Sequence, residues 1–182
     1  MSDLPLLANL IGAVGFAGLL LATQMATKAR FLAVDFAGVL LVAAHYALLD
    51  APSGVVYSLI YAAADIAAAF DIGRAWRRRL FGGLYLVTAG LLVYWSFETT
   101  ALLSFAGTVM AIAARQQSRL WALNAFIFLS AFGWGSFGWM TGSYSQIAFS
   151  LAYSLFSGYR ALFLLQRARK TAPPARSPEN SE

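Results

Sequence analysis

RLFGGLYLVTAGLLVYWSFETTALLSFAGTVMAIAAR, residues 79 to 115, is the stretch on which the fold turns. It begins and ends on arginine, and the one charge between them is Glu98. Cytoplasmic flanks of membrane spans are enriched in Lys and Arg. Arg79 and Arg115 are therefore expected on one side of a bilayer, with an even number of crossings between them. Two crossings, Leu80–Ser96 and Thr100–Ala114, joined by an outer turn at Glu98-Thr99-Thr100, meet that condition. A single crossing would strand Arg115 and Arg119 outside.

The same alternation continues in both directions. Apolar stretches run over Leu6–Ala26, Phe31–Leu49, Ser53–Phe70, Leu120–Met140 and Tyr144–Leu165, with Pro5 at the start of the first. Most approach the roughly 20 residues needed to cross the hydrocarbon core. Lys28 and Arg30, Arg74 to Arg79, Arg115 and Arg119, and Arg160 onward fall on one side, which accounts for all 13 basic residues. Asp3, Asp50 and Glu98 fall on the other. Seven spans follow, with the N-terminus outside and the C-terminus cytoplasmic. A signal peptide carries positive charge ahead of its apolar core; here Asp3 precedes it and Lys28 follows, as expected of a retained helix.

Composition agrees. Of 182 residues, 60% are hydrophobic and 12% charged, and the mean hydropathy is +0.66. A soluble domain of this size has too little interior to hide so much apolar side chain, so the lipid bilayer is the expected partner. The net charge of +5 sits in short loops and a tail, not on a stripe that would engage nucleic acid. With no cysteine and the single His45, disulfides, thiol catalysis and a multi-histidine metal site are excluded. No phosphate loop, nucleophile with a base, or cofactor motif is present, so neither an enzyme nor a cofactor is expected.

Sliding the sequence by 89 residues brings Gly15-Phe16-Ala17-Gly18 onto Ser104-Phe105-Ala106-Gly107, Arg30 onto Arg119 and Asp35 onto Asn124. Helices one to three then match five to seven. Two three-helix units in the same orientation need a linking helix, because three crossings leave the chain on the wrong side. Helix four supplies it. The expected architecture is an all-α membrane protein of seven transmembrane helices in a 3-1-3 parallel repeat. Its parts are a first unit at 1–73, a basic loop and linking helix at 74–97, a second unit at 98–169 and a disordered cytoplasmic tail at 170–182.

Gly12, Gly15-Phe16, Gln24, Arg30, His45-Tyr46 and Leu48 resemble the first half of the bacterial inner-membrane YgjV-type proteins. Phe105, Gly107-Thr108, Arg119, Trp121, Trp134-Gly135-Ser136 and Arg160 resemble the second half. The resemblance spans nearly all of the chain but the tail, and implies a multi-pass protein of the bacterial inner (plasma) membrane without implying a biochemical activity. More distantly, the 3-1-3 order is similar to that of SWEET and PQ-loop transporters. Their Pro-Gln pair is not kept: Thr23-Gln24 and Ile112-Ala113 stand near its two places.

Ionisable groups inside a bilayer are costly and mark functional sites by default. Asp65 is the leading candidate, with Tyr61 and Tyr57 one and two turns earlier on the same helical face, as a cavity-lining stripe that binds a proton or a cationic group; the alternative is a paired Asp65 in a structural hydrogen bond to a neighbouring helix. Asp35, near Arg30, is expected in an interfacial salt bridge, with Asn124 facing it across the repeat axis. Asp71 and Arg160 are candidates for a cytoplasmic gate. His45 with Tyr46 reads as an interfacial histidine, and Tyr94-Trp95, Trp139 and Tyr144 as an outer aromatic belt. Trp134, a turn further in, is placed to stack on a ligand. The glycines of helices one and six are expected to let helices approach closely.

Together these point to a small-molecule transporter or permease that rocks two units around a midplane site, with a homo-oligomer an open possibility. The alternative is a non-transporting membrane protein, an assembly factor or sensor acting through protein partners.

Overall fold

The computed structural model describes residues 4–70 and 73–170. Seven helices follow one another: α1 (Leu4–Thr23), α2 (Lys28–Leu48), α3 (Pro52–Ala69), α4 (Arg74–Tyr94), α5 (Thr99–Gln116), α6 (Leu120–Met140) and α7 (Tyr144–Lys170). Five of them, α1, α2, α3, α6 and α7, are long and apolar enough to cross a membrane. The other two fall short for a visible reason. α4 carries Arg74, Arg77, Arg78 and Arg79 within its first two turns, and α5 is 18 residues long and ends on Arg115-Gln116.

The arginines of α4 therefore lie in a helix, where a loop was expected. α7 likewise runs past Leu165 to take in Arg167, Arg169 and Lys170, where positive charge complements the carbonyl end of the helix dipole. The tail beyond Lys170 lies outside the described residues.

Local chemistry sets the helix ends. Thr27 caps α2, its hydroxyl accepting the Arg30 N–H at 3.3 Å, and Pro52 starts α3 where its missing N–H costs nothing. Between α6 and α7 the backbone reverses through Gly142 at φ +68°, a left-handed conformation that glycine takes without strain.

The helices close into a ring. α1 packs on α2, α2 on α3, α3 on α5, α5 on α6, α6 on α7, and α7 back on α1. α4 stands outside, against α3 and α5, and buries only Phe81, Thr88 and Leu92.

Two contacts in the ring are very close. A Cβ on Gly15 would lie 3.0 Å from the Gly38 carbonyl oxygen, and one on Gly38 would lie 2.9 Å from that of Gly15. In the α5–α6 pair, a Cβ on Gly107 would lie 3.2 Å from the Ser130 carbonyl oxygen, and the Ser130 hydroxyl donates to the Gly107 carbonyl at 2.7 Å. Small residues thus bring the backbones together without a hydrophobic driving force.

Matching features recur 92 positions apart: Lys28 and Leu120 begin α2 and α6, Pro52 and Tyr144 begin α3 and α7, and Gly15–Gly38 corresponds to Gly107–Ser130. The spacing of 89 taken from identities differs from this by three residues, close to one helical turn, and glycine- and alanine-rich helices match at both offsets. At a spacing of 92, Asp35 stands opposite Ile127, not Asn124, while Tyr61 stands opposite Tyr153 and Ser58 opposite Ser150.

Candidate functional site

Asp35 lies seven residues into α2, Asp65 four residues from the end of α3, and Arg115 in the last turn of α5. These positions bring all three side chains to the same end of the bundle: at 1.5 Å per residue the aspartates stand about 6–10 Å along the axis from their helix ends and Arg115 about 2 Å from its own. Their side chains are 0–1% exposed. Arg115 Nε donates to Asp65 Oδ1 at 2.7 Å, and Arg115 Nη2 donates to Asp35 Oδ2. Nη1 donates to the Ala111 carbonyl at 3.3 Å, one turn back on its own helix. The Tyr61 ring lies 3.8 Å from the guanidinium carbon and the Phe31 ring 5.5 Å. A planar, weakly hydrated cation suits such a slot, since its edge binds carboxylates while its face lies on a ring.

This corrects two expectations. Arg115 is a buried helical residue, not a loop charge. Asp35 pairs with Arg115 rather than with Arg30, which is exposed. Asp65 faces the bundle, with one carboxylate oxygen held by Arg115 near the basic end. The clue available in the sequence was depth: two aspartates near one end of their spans need a cation at the same level, and Arg115 directly follows an apolar run.

Tyr57, Tyr61 and Asp65 are all buried on α3. Tyr61 also reaches α7, where its hydroxyl meets that of Tyr153 at 3.5 Å. The Tyr57 ring packs against Trp95 with centroids 5.5 Å apart, and its hydroxyl has no partner among the described residues. Beyond Tyr61 lies a cavity of about 40 Å³. Phe16 of α1, Val42 of α2, Ser58 and Tyr61 of α3, Trp134 of α6, and Gln146 and Tyr153 of α7 line it. At about 10–15 Å³ per ordered water, this is room for two to four waters.

The far side of the cavity is closed by a second contact between the two halves of the ring. The Tyr46 hydroxyl of α2 donates to Gln146 Oε1 of α7 at 2.5 Å, and Gln146 Nε2 donates to the Ser150 hydroxyl at 2.9 Å. Each partner lies across a glycine: a Cβ on Gly54 would sit 2.8 Å from the Tyr46 ring, and one on Gly138 would sit 2.6 Å from Gln146. His45 was expected at the interface but is fully buried, with Nδ1 2.8 Å from the Ala8 carbonyl oxygen of α1.

At the basic end, Lys28 Nζ donates to the carbonyls of Arg115 at 2.6 Å and Gln117 at 2.8 Å. It thus satisfies acceptors that the end of α5 leaves free, and ties the start of α2 to that helix.

The remaining candidates are less connected. Trp134 stacks on Tyr46 at 6.1 Å and forms the cavity wall. Asn124 is buried, and its amide donates to Leu120 of its own helix at 2.9 Å; among the described residues no hydrogen bond joins it to Asp35. Arg160 is half-buried, and the Asp71 expected to gate with it lies outside the described residues. Among the described residues no group of three or more His, Asp or Glu side chains could hold a metal ion.

The model of the Imp-YgjV family, described as a bacterial inner membrane protein, matches residues 6–167. No curated protein and no solved structure matches the chain. Apolar helices, a charged cluster kept out of lipid by the ring, and a family match over nearly the whole sequence agree: the chain belongs to the Imp-YgjV family of bacterial inner membrane proteins.

Proposed function

We propose that the chain crosses the inner membrane seven times, N-terminus outside, and is a small-molecule transporter in which two three-helix units rock around the cavity between them. α1–α3 form one unit, α5–α7 the other, and α4 is the link that lets both units run in the same direction. The units meet along two seams, α3 with α5 and α1 with α7.

One observation carries the reading. The cavity lies between two separate inter-unit contacts, Arg115 with Asp35 and Asp65 toward the basic end and Tyr46 with Gln146 toward the other. Alternating access requires that arrangement: each contact is a gate, and breaking one at a time opens the site to one side. With both formed, the space is smaller than a metabolite, so this is the closed form. Among the described residues no catalytic set accompanies it, and we read the protein as a carrier rather than an enzyme.

The test is solute flux in liposomes holding the full chain, screened over neutral, cationic and anionic small molecules. A solute that moves with the wild type should stop moving with Ser58→Leu, whose side chain fills the cavity. If no class of solute moves, the transporter reading fails. Topology is tested separately on the naturally cysteine-free chain. Single cysteines placed at Asp50 or Glu98 should react with an impermeant thiol reagent from outside, and one at Ser118 only from inside.

A further inference from the structure

The buried cluster does not balance its charge. One guanidinium faces two carboxylates, leaving one negative charge in excess when both are ionised. Among the described residues no second cation pairs with either carboxylate. α1 and α6 carry no titratable side chain. α3 adds Tyr61, with Tyr57 one turn further from the cluster, and α7 adds Tyr153 and, two turns on, the half-buried Arg160; the hydroxyls of Tyr61 and Tyr153 face each other. α4, packed on α3 and α5, brings Arg77 and Tyr85, and Tyr85 accepts a hydrogen bond from Gln116 at 2.8 Å. Lys28 keeps its positive charge while donating to two backbone carbonyls, and neither it nor Arg77 makes an ion pair with Asp35 or Asp65 among the described residues. An uncompensated charge excluded from water is among the costliest arrangements a protein can hold.

Two oxygens mark where compensation occurs. Arg115 engages Asp35 Oδ2 and Asp65 Oδ1, while Asp35 Oδ1 and Asp65 Oδ2 are buried without a hydrogen-bond partner among the described residues. A metal cation does not suit them. Calcium and magnesium require six or more oxygens, and this site offers two, beside a fixed positive charge. A proton needs only one oxygen, and a carboxylic acid beside an ionised carboxylate is the usual outcome when two acids share a confined site.

We propose that Asp35, Arg115 and Asp65 form a proton site: one proton on the free carboxyl oxygens neutralises the cluster while the basic-end seam is closed, and is released when the seam opens. Asp35 and Asp65 belong to the first three-helix unit and Arg115 to the second. Parting the units therefore separates the ion pairs, admits water, and lets both carboxyl groups ionise. Proton occupancy and closure are then linked, because a ligand shifts a two-state equilibrium toward the state that binds it more tightly. The linkage rests on the rocking motion proposed above; the proton itself does not.

Infrared spectroscopy of the full chain in bilayer discs tests the proton without any transport assay. At neutral pH the wild type should show a carboxylic-acid C=O band that shifts in deuterated water. Asp35→Asn and Asp65→Asn should each lose it, since each leaves one aspartate balanced by Arg115, and gel filtration checks that both variants remain folded. A wild type without the band, or a band that persists in both variants, overturns the proposal. So does a charge balance that depends on sodium.

The linkage is read with a single Ala111→Cys, buried one turn from Arg115. Measured relative to an exposed cysteine at Ser118, which corrects for the reactive thiolate fraction, its labelling rate should rise further with pH, up to about an additional tenfold per pH unit for one proton released on opening, and lose that additional dependence when Asp65→Asn is added. An additional dependence that is absent from the Ala111→Cys chain, or that survives Asp65→Asn, overturns the linkage. Absence of solute flux, by contrast, would sink only the transporter reading.

Discussion

The hydroxyls of Tyr61 on α3 and Tyr153 on α7 meet at 3.5 Å, and the two residues are 92 positions apart. They close two similar segments, Tyr57-Ser58-Leu59-Ile60-Tyr61 and Phe149-Ser150-Leu151-Ala152-Tyr153. Equivalent atoms of two repeats can touch only at the axis that relates them. Under the two-unit reading, this tyrosine pair therefore marks that axis, and the cavity lined by Ser58, Ser150 and both tyrosines straddles it.

At that separation the hydroxyl contact is weak, and the rings carry most of the role. A net hydrogen bond contributes about 0.5–1.5 kcal/mol, so the coupling energy of a Tyr61→Phe and Tyr153→Phe cycle should lie at or below about 0.5 kcal/mol. Thermal unfolding of the single and double variants measures it. A coupling well above this would mean the hydroxyls clasp each other as a third latch.

Arg115 should be far less tolerant. Its removal leaves two buried carboxyl groups, at least one of them ionised, without their cation, and breaking a buried pair costs about 3–5 kcal/mol. Arg115→Gln is expected to lower the unfolding temperature sharply, and adding Asp35→Asn and Asp65→Asn should recover much of the loss, because the uncompensated charges go with it. Arg115→Lys should rescue poorly, since one ammonium cannot reproduce a fork that reaches Asp35, Asp65 and the Ala111 carbonyl together. Stability that is unchanged in Arg115→Gln would show that the carboxyls neutralise themselves without it.

How much of this was legible beforehand follows from the reach of each signal. Helix positions come from local hydropathy, and the expected spans overlap α1 to α7 throughout. Charge asymmetry assigned every basic residue to the flanks, and that rule misplaced Arg115: an arginine that ends a span looks the same whether it points into water or back into the bundle. Pairing across α2, α3 and α5 depends on the ring closure, which no local pattern carries. His45 shows the same limit, because its burial follows from Gly12 leaving room for the imidazole: a Cβ there would sit 2.7 Å from Nδ1. A repeat register is no more legible, because small residues match small residues at many offsets, 89 and 92 alike.

Glycines in this chain divide into two groups with opposite expected responses. A Cβ on Gly133 would lie 2.5 Å from the Gly107 backbone nitrogen, and backbone cannot step aside as a side chain can. Gly133→Ala should destabilise by about 1–3 kcal/mol, in the range of an overpacked core. At Gly82, Gly83 and Gly90 of α4, an added Cβ would meet nothing within 4 Å. Alanine there should be neutral or stabilising by about 0.5–1 kcal/mol each, from helix propensity alone. Unfolding midpoints in one detergent compare the two groups directly, and a destabilising Gly83→Ala would place a partner surface on the outer face of α4.

The Tyr46–Gln146 contact yields a prediction in which two changes cost less than one. Both side chains are buried, and Gln146 Oε1 accepts from Tyr46 at 2.5 Å while its amide is already used by Ser150. Tyr46→Phe removes the donor and leaves that oxygen unsatisfied, a penalty of about 1–3 kcal/mol. Gln146→Leu strands the tyrosine hydroxyl and should cost a similar amount. The double variant leaves neither group unpaired and should be more stable than either single one. If the contact is also a gate, each single variant admits water at this end to solvate the orphaned group. A cysteine at Ser150 should then label faster from outside in Tyr46→Phe than in the parent, and slow again in the double variant. Additive losses across the cycle would mean that Tyr46 and Gln146 act through their separate packing on Gly54 and Gly138, and the gate would have to be sought elsewhere.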